Sequence, residues 1–269
     1  MKPFLRWAGG KTRSISFLKT HLPKNFSSIK DYYEPFLGAG SLFFELCPSQ
    51  AILSDLNTDL IECYKAIKEK PNLVSRYLKK HYRESSKSYY YKMRYKYNNS
   101  KSSVSKAALF IYLNKTCFNG IWRVNNNGMF NVPYGYKEPP YLLNRNDIIR
   151  ISNALSKAKL YNLDFKEAVK NANKGDFIYF DPPYPPLNNT SNFAHYTKER
   201  FSIRDHERVA EAANELSKIG CSVMISNSST DFVYSLYKKN FNINELELRR
   251  WIRTDGKRYK IKEVVITNY

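Results

Sequence analysis

The chain has 269 residues, enough for one large domain or for one domain with a smaller insert. Hydrophobic residues make up 42% and aromatics 15%, which excludes a disordered or linker-like chain. Lys and Arg number 44 against 24 Asp and Glu, a net charge of +20, so a polyanion is the expected partner and nucleic acid the first choice. A basic soluble protein without such a partner is the competing reading.

The first α/β segment runs to about residue 70. Residues 31–34 lead into Pro35-Phe36-Leu37-Gly38-Ala39-Gly40 and a helix over 41–46. A short apolar strand over 51–54 ends at Asp55, and Thr58 is the expected cap of an amphipathic helix over 59–69. From about 71 to 155 the composition changes. Residues 76–106 are rich in Lys, Arg, Tyr and Ser with helical patterning, and 118–141 are loop-rich, with Asn125-Asn126-Asn127-Gly128 as a turn signal. The Tyr-rich stretch 89–97 is read as a small helical core rather than a binding face. The second α/β segment begins near 159. Strands over 159–163 and 177–180 end at Asp164 and Asp181, with a helix from Lys166 between them. Ser202 caps a long helix to Lys218, a buried strand covers 221–225, and 245–253 with 262–268 form a hairpin around Asp255-Gly256. Strands alternating with helices predict an α/β fold built on a parallel sheet, with a helical and hairpin insert.

No apolar run approaches the roughly 20 residues of a spanning helix, so no membrane partner is expected. The opening residues MKPFLRWAGGK contain no apolar signal segment. Cys47, Cys63, Cys117 and Cys221 form no Cys-x-x-Cys pair, and His21, His81, His195 and His206 no His-x-x-x-His. Neither a metal nor a disulfide framework is expected, and a reducing cytoplasm fits.

The chemistry concentrates in Asp181-Pro182-Pro183-Tyr184, directly after an apolar strand. Parallel α/β sheets place ligands at the carboxyl ends of their strands. The Asp carboxylate and the Pro182 carbonyl offer two acceptors, the prolines stiffen the turn, and the Tyr ring offers a stacking plane. Two acceptors beside an aromatic plane suit the exocyclic amino group of a planar base. Gly38-Ala39-Gly40 lacks the third glycine of a dinucleotide fingerprint. With the strand-final Asp55 about fifteen residues on, it fits a nucleoside ligand without a diphosphate.

These residues resemble the Dam-type (DpnII-like) DNA adenine-N6 methyltransferases. The resemblance runs from Arg6-Trp7-Ala8-Gly9-Gly10-Lys11 through Glu34-Pro35-Phe36-Leu37-Gly38-Ala39-Gly40-Ser41 and Ser54-Asp55-Leu56-Asn57. It continues through Phe118-Asn119-Gly120-Ile121-Trp122-Arg123-Val124-Asn125 and 130–135 to 175–184, 226–228 and 263–269. It implies a Rossmann-like methyltransferase sheet, with residues 1–70 and 156–269 as the catalytic domain and 71–155 as a target-recognition domain. It implies S-adenosylmethionine as methyl donor and no metal. Trp7, Lys11, Phe36, Gly38, Asp55, Asp164, Phe165, Asp181 and Phe201 are the donor-site residues by this resemblance. Asp181, Pro182 and Tyr184 are then catalytic. They hold and stack an adenine turned out of the duplex, and Asn227 is a candidate pocket residue.

The insert then reads as target recognition. Trp122, Arg123 and 125–127 lie on a hairpin able to reach the major groove, with Arg123 expected on a guanine edge. Phe118, Asn119 and Ile121 are expected to fill the opened stack, and Asn125 and Tyr136 complete the DNA-binding set. Lys79, Lys80, Arg83, Lys92, Arg94, Arg258 and Lys260 are phosphate candidates. The family carries Arg-Tyr-Lys after Pro-Tyr-Gly, whereas this chain reads Gly135-Tyr136-Lys137-Glu138, so a basic residue beside Tyr136, tied to outer-base recognition, is missing. The resemblance implies GATC as target, duplex DNA as partner, a monomer, and a restriction-modification setting with a separately acting endonuclease. The same chemistry on another short sequence is the alternative. A cytosine-N4, RNA or protein amino methyltransferase, and a non-catalytic DNA-binding protein, are further ones.

Overall fold

Strand β4 (Phe177–Phe180) is buried at every position, as expected for a parallel strand covered on both faces. Phe177 and Tyr179 enter one apolar core, Ile178 and Phe180 the other. The computed structural model describes residues 1–135, 142–185, 201–251 and 258–269, with backbone alone for 248–251 and 258–261. Around β4 a seven-stranded sheet forms in the order β3-β2-β1-β4-β5-β7-β6. The other strands are β1 (Tyr32–Glu34), β2 (Ala51–Ser54), β3 (Ala158–Tyr161), β5 (Ser222–Ser228), β6 (Asn242–Trp251) and β7 (Arg258–Thr267). The first five run parallel, and β7 enters antiparallel between β5 and β6. This is the α/β sheet that the alternating pattern predicts, in the Rossmann-like arrangement that the resemblance implies.

The order reverses between β1 and β4, because the chain moves outward through β2 and β3 before returning. A crevice opens at such a switch, outside the carboxyl ends of the strands. The loops after β1, β2 and β4 therefore meet there, carrying residues 35–40, Asp55 and Asp181.

Helices α1 (Ile15–Thr20), α2 (Ser41–Leu46), α3 (Thr58–Glu69), α8 (Phe165–Val169), α9 (Ile203–Ile219) and α10 (Asp231–Tyr237) accompany the sheet. Ser202 caps α9 as expected, in a reciprocal capping box with Asp205, and Gly220 closes it at φ 94°. Asn57 rather than Thr58 caps α3: its Oδ1 accepts from the Leu60 N–H at 3.0 Å. The Thr58 hydroxyl instead donates to Asn162 Oδ1, tying α3 to the loop after β3. The β6–β7 hairpin is longer than the sequence suggested, and its Asp255-Gly256 turn lies outside the described residues.

The insert contributes α4 (Pro71–Arg83), α5 (Lys87–Asn98), α6 (Val104–Thr116) and α7 (Arg145–Leu155). Pro71 opens α4 at a position where its missing N–H costs nothing. In α5, Tyr90, Met93 and Tyr97 are buried while Tyr91 and Tyr95 are exposed, so the Tyr-rich stretch is a helical core. These helices do not form a detached body. One apolar core runs from Tyr32 and Phe177 in the sheet through Tyr64 of α3 to Tyr90, Phe110 and Trp122.

Candidate active site and recognition hairpin

Asp181 follows β4 and meets Lys11 from the start of the chain, with Nζ to Oδ1 at 2.6 Å. Lys11 is 4% exposed. Its Nζ also donates to the Gly9 carbonyl at 2.7 Å and lies 4.7 Å from the centre of the Tyr184 ring. One cation thus touches the carboxylate and the aromatic face of the Asp-Pro-Pro-Tyr turn. Burial pushes the Asp181 carboxyl up to about 6, with Lys11 opposing the shift. Pro182 is buried and Pro183 half-buried. The Tyr184 hydroxyl donates to Glu263 Oε2 at 3.3 Å, and Tyr179 shares a hydrogen bond with Ser226 at 2.8 Å.

A second buried acid sits on β1. Glu34 Oε2 accepts from the Tyr32 hydroxyl at 2.6 Å and the Phe43 N–H at 3.2 Å. Burial pushes its carboxyl up to about 8, against these two hydrogen bonds. Glu34 therefore ties the glycine turn and α2 to the strand that precedes them.

The expected donor residues gather beside this pair. Gly38 has φ 47°, and a Cβ there would fall 2.9 Å from Trp7 Cδ1, so only glycine leaves room for the indole. Asp55 Oδ2 accepts from the Gly38 N–H and Oδ1 from the Asn57 N–H, both at 2.9 Å. Burial raises the Asp55 carboxyl and these two donors oppose the rise. Phe36, Phe165 and Phe201 form one aromatic group: Phe36 stacks on Phe165 at 5.3 Å and meets Phe201 edge-on at 5.7 Å. Asp164 caps α8 through the Lys166 N–H and accepts from Arg208 at 2.8 Å. Arg208 lies 4.8 Å from the Phe165 ring centre, holding the pair together. Asn227 is inside β5, not in a strand-end turn, and its buried Nδ2 has no hydrogen-bond partner among the described residues.

Residues 7–252 match the model of the D12 class N6 adenine-specific DNA methyltransferases. The chain belongs to that family. It is 40% identical to the type II methyltransferase M1.LlaDCHI of Lactococcus lactis subsp. cremoris over 279 residues, covering 100% of this chain and 96% of that protein. The type II methyltransferase M.MjaIII of Methanocaldococcus jannaschii is 40% identical, covering 100% of this chain and 99% of that protein. The DNA adenine methylase of Escherichia coli K12 is 32% identical, covering 98% of this chain and 94% of that protein. These matches agree with the resemblance drawn from the sequence.

The residues expected to meet DNA divide sharply by burial. Val124 and Phe130 pair antiparallel, and Asn125 Oδ1 accepts from the Asn127 and Met129 N–H groups, which shapes the expected hairpin. Arg123 is exposed on it, with Nε on Asn131 Oδ1 at 2.9 Å. Trp122 is not a surface residue: it is 2% exposed and stacks on Phe130 at 4.3 Å and on Trp7 at 6.3 Å. Apolar burial on alternate residues outweighs the neighbouring turn signal there. Phe118 and Ile121 are 48% and 41% exposed, around Asn119 in the left-handed conformation at φ 55°. Arg94 Nη1 donates to the Asn131 and Val132 carbonyls, which ties α5 to the hairpin. Tyr136, His195 and the side chains of Arg258 and Lys260 lie outside the described residues.

Two contacts that sequence reasoning missed hold the candidate site, the clasp on Arg6 and the acid at Glu263. Asn114 of α6 is fully buried; its Oδ1 accepts from the Arg6 N–H at 2.9 Å and its Nδ2 donates to the Arg6 carbonyl at 2.7 Å. Gly120 has φ 66° and packs on the Arg6 side chain, where a Cβ would fall 2.2 Å from Cδ. Glu263 is the second, a 4% exposed acid at the head of an apolar strand segment. Its only sequence signal is a carboxylate directly before Val264-Val265-Ile266.

Proposed function

We propose that this chain transfers a methyl group from S-adenosylmethionine to the N6 amino group of an adenine turned out of duplex DNA, with GATC as the target sequence. The observation that carries this reading is the Asp181–Lys11–Tyr184 group. A buried carboxylate lies beside an aromatic face, with a cation donating to it. An exocyclic amino group over the same ring would donate to the same carboxylate.

The neighbouring residues fit a nucleoside-bearing donor. Asp55 has acceptor oxygens for ribose hydroxyls, Phe36, Phe165 and Phe201 offer apolar aromatic surface for a base, and Gly38 lets the Trp7 indole close against the glycine turn. Trp7, Lys11, Phe36, Gly38, Asp55, Asp164, Phe165, Asp181 and Phe201 would hold S-adenosylmethionine, which supplies a methyl group already activated by its sulfonium.

The chain's own work is alignment. Adenine's amino lone pair is delocalised into the ring and is a poor nucleophile. Asp181 and the Pro182 carbonyl accept its two N–H bonds, which favours a pyramidal nitrogen with a directed lone pair. Lys11 yields its place on Asp181 to that amino group and stays close enough to offset the carboxylate's burial. Tyr184 stacks on the base, as a base inside a duplex cannot reach this pocket. No metal takes part in this scheme. Arg123 and Asn125 read the duplex from residues 71–155, Phe118, Asn119 and Ile121 support the opened stack, and Tyr136 completes the contact. Residues 1–70 and 156–269 carry the chemistry. The type II names of two relatives support a restriction-modification setting with a separate endonuclease, and we place the monomeric enzyme in the cytoplasm.

A methylation map tests the proposal. Unmethylated plasmid is incubated with protein and S-adenosylmethionine, then sequenced by a method that reports modified bases. N6-methyladenine confined to GATC is the expected result. The same base at another motif would retain the chemistry and move the specificity to residues 118–141. N4-methylcytosine, or unmodified DNA with bound donor, would overturn the substrate.

A further inference from the structure

Burying a carboxylate is unfavourable unless something specific uses it. Glu263 is 4% exposed on β7, which lies inside the sheet between β5 and β6. In register it faces Ser228 of β5, at the carboxyl end where the parallel strands deliver their loops. Its neighbours Val264, Val265 and Ile266 are apolar and buried, so packing alone would favour a fourth aliphatic residue. Among its contacts is the Tyr184 hydroxyl, which donates to Oε2 at 3.3 Å.

The Tyr184 ring is therefore held at both ends. Its Cβ end follows the Pro182-Pro183 turn, whose dihedrals are stiff. Its hydroxyl end is anchored on a different strand, 79 residues later in the chain. A tyrosine has two side-chain torsions, and an anchor at the far end fixes both. Lys11 lies over this ring while paired with Asp181, so the ring plane and the carboxylate share one reference frame. Burial first, then the neighbouring carboxylates of Asp181 and Glu263, keep the Tyr184 phenol protonated, so that it stays a donor.

We propose that Glu263 is a positioning residue: by accepting the Tyr184 hydroxyl it sets the plane of the stacking ring relative to Asp181. The proposal rests on the reading of Tyr184 as the platform for the methylated base. Glu263 itself touches no substrate. The small misalignment that follows loss of such an anchor is the kind that slows chemistry without weakening binding.

The test has a part that needs no substrate. Ring-13C tyrosine is incorporated, and the Tyr184 resonance is assigned from the Tyr184→Phe protein. Glu263→Leu is expected to move that resonance, and Glu263→Gln to move it less, since the amide oxygen still accepts a hydrogen bond. A Tyr184 resonance indifferent to Glu263→Leu overturns the proposal, whatever the substrate is. The second part is a kinetic cycle on duplex DNA. Tyr184→Phe and Glu263→Leu are each expected to lower kcat about tenfold with unchanged KM for S-adenosylmethionine. The double variant falls no further than either single one, and Glu263→Gln stays within about twofold of the parent. Additive losses, or a Tyr184→Phe protein of parental kcat, overturn it. If Glu263→Leu fails to fold, Tyr184→Phe and Glu263→Gln still decide the matter. A wild-type protein that leaves DNA adenine unmodified would count against the proposed substrate alone, because the resonance shift decides the contact separately.

Discussion

The crevice at the strand ends and the hairpin over 118–135 hold their polar side chains in opposite ways. Around Asp181 the charged groups are buried and bonded to one another, through Lys11, Tyr184 and Glu263. On the hairpin the polar side chains are exposed, and rigidity comes from beneath, where Trp122, Phe130 and Phe110 interlock. Chemistry requires side chains fixed before the substrate arrives, in surroundings with little water. Reading a duplex requires side chains that meet a partner's groove while the backbone behind them stays put.

Four measurements break or sharpen this contrast. The largest effect is expected for Asp181→Ala, which should lower turnover by about 10⁴-fold while leaving much of the DNA affinity, since on the proposed reading phosphates are met by other residues. Single-turnover methyl transfer and a binding isotherm at fixed salt measure the two; an active Asp181→Ala protein breaks the scheme. Trp122→Ala comes next, with a stability loss of about 3–5 kcal/mol in urea unfolding, because it opens a cavity among stacked rings. Were Trp122 a DNA contact, stability would hold and binding alone would fall. Arg123→Ala should do the reverse, leaving stability within about 0.5 kcal/mol and costing about 1–3 kcal/mol of discrimination at one base pair. Comparing kcat/KM on duplexes substituted at each position identifies that pair.

The smallest effect, counted per pH unit, concerns Glu34. Its folded-state carboxyl lies at about 8, above the ordinary value of 4.5. A raised carboxyl contributes stability that is present below about pH 4.5 and is lost as the pH rises through 8. The slope it contributes is at most about 1.4 kcal/mol per pH unit. Glu34→Gln should flatten the dependence of the urea midpoint over that window. An unchanged slope would mean that Glu34 is not buried as an acid.

The strand-end motifs were legible because their chemistry is local. Asp-Pro-Pro-Tyr after an apolar run places an acid, a stiff turn and a ring without reference to the rest of the chain, and Ser202 with Asp205 announces the start of α9. Contacts across the chain were not legible. Nothing near Asn114 says that it will clasp Arg6, and nothing near Glu263 names Tyr184 as its partner. Trp122 was misread for a related reason. Its neighbours are turn residues, while the rings that bury it lie at positions 7, 97, 110 and 130. Asn57 displaced Thr58 as the cap by a single position, since both can cap and only the loop after β3 shows that the Thr58 hydroxyl is needed elsewhere.

The clasp of Asn114 on Arg6 also has a consequence for the order of folding. Arg6 is held by a side chain 108 residues later, so its place in the fold waits on a distant contact, while Trp7 and Lys11 beyond it meet Gly38 and Asp181. The segment that carries Trp7 and Lys11 is thereby joined to α6 as well as to the sheet. A chain in which α6 has failed to form also lacks the anchor of Arg6.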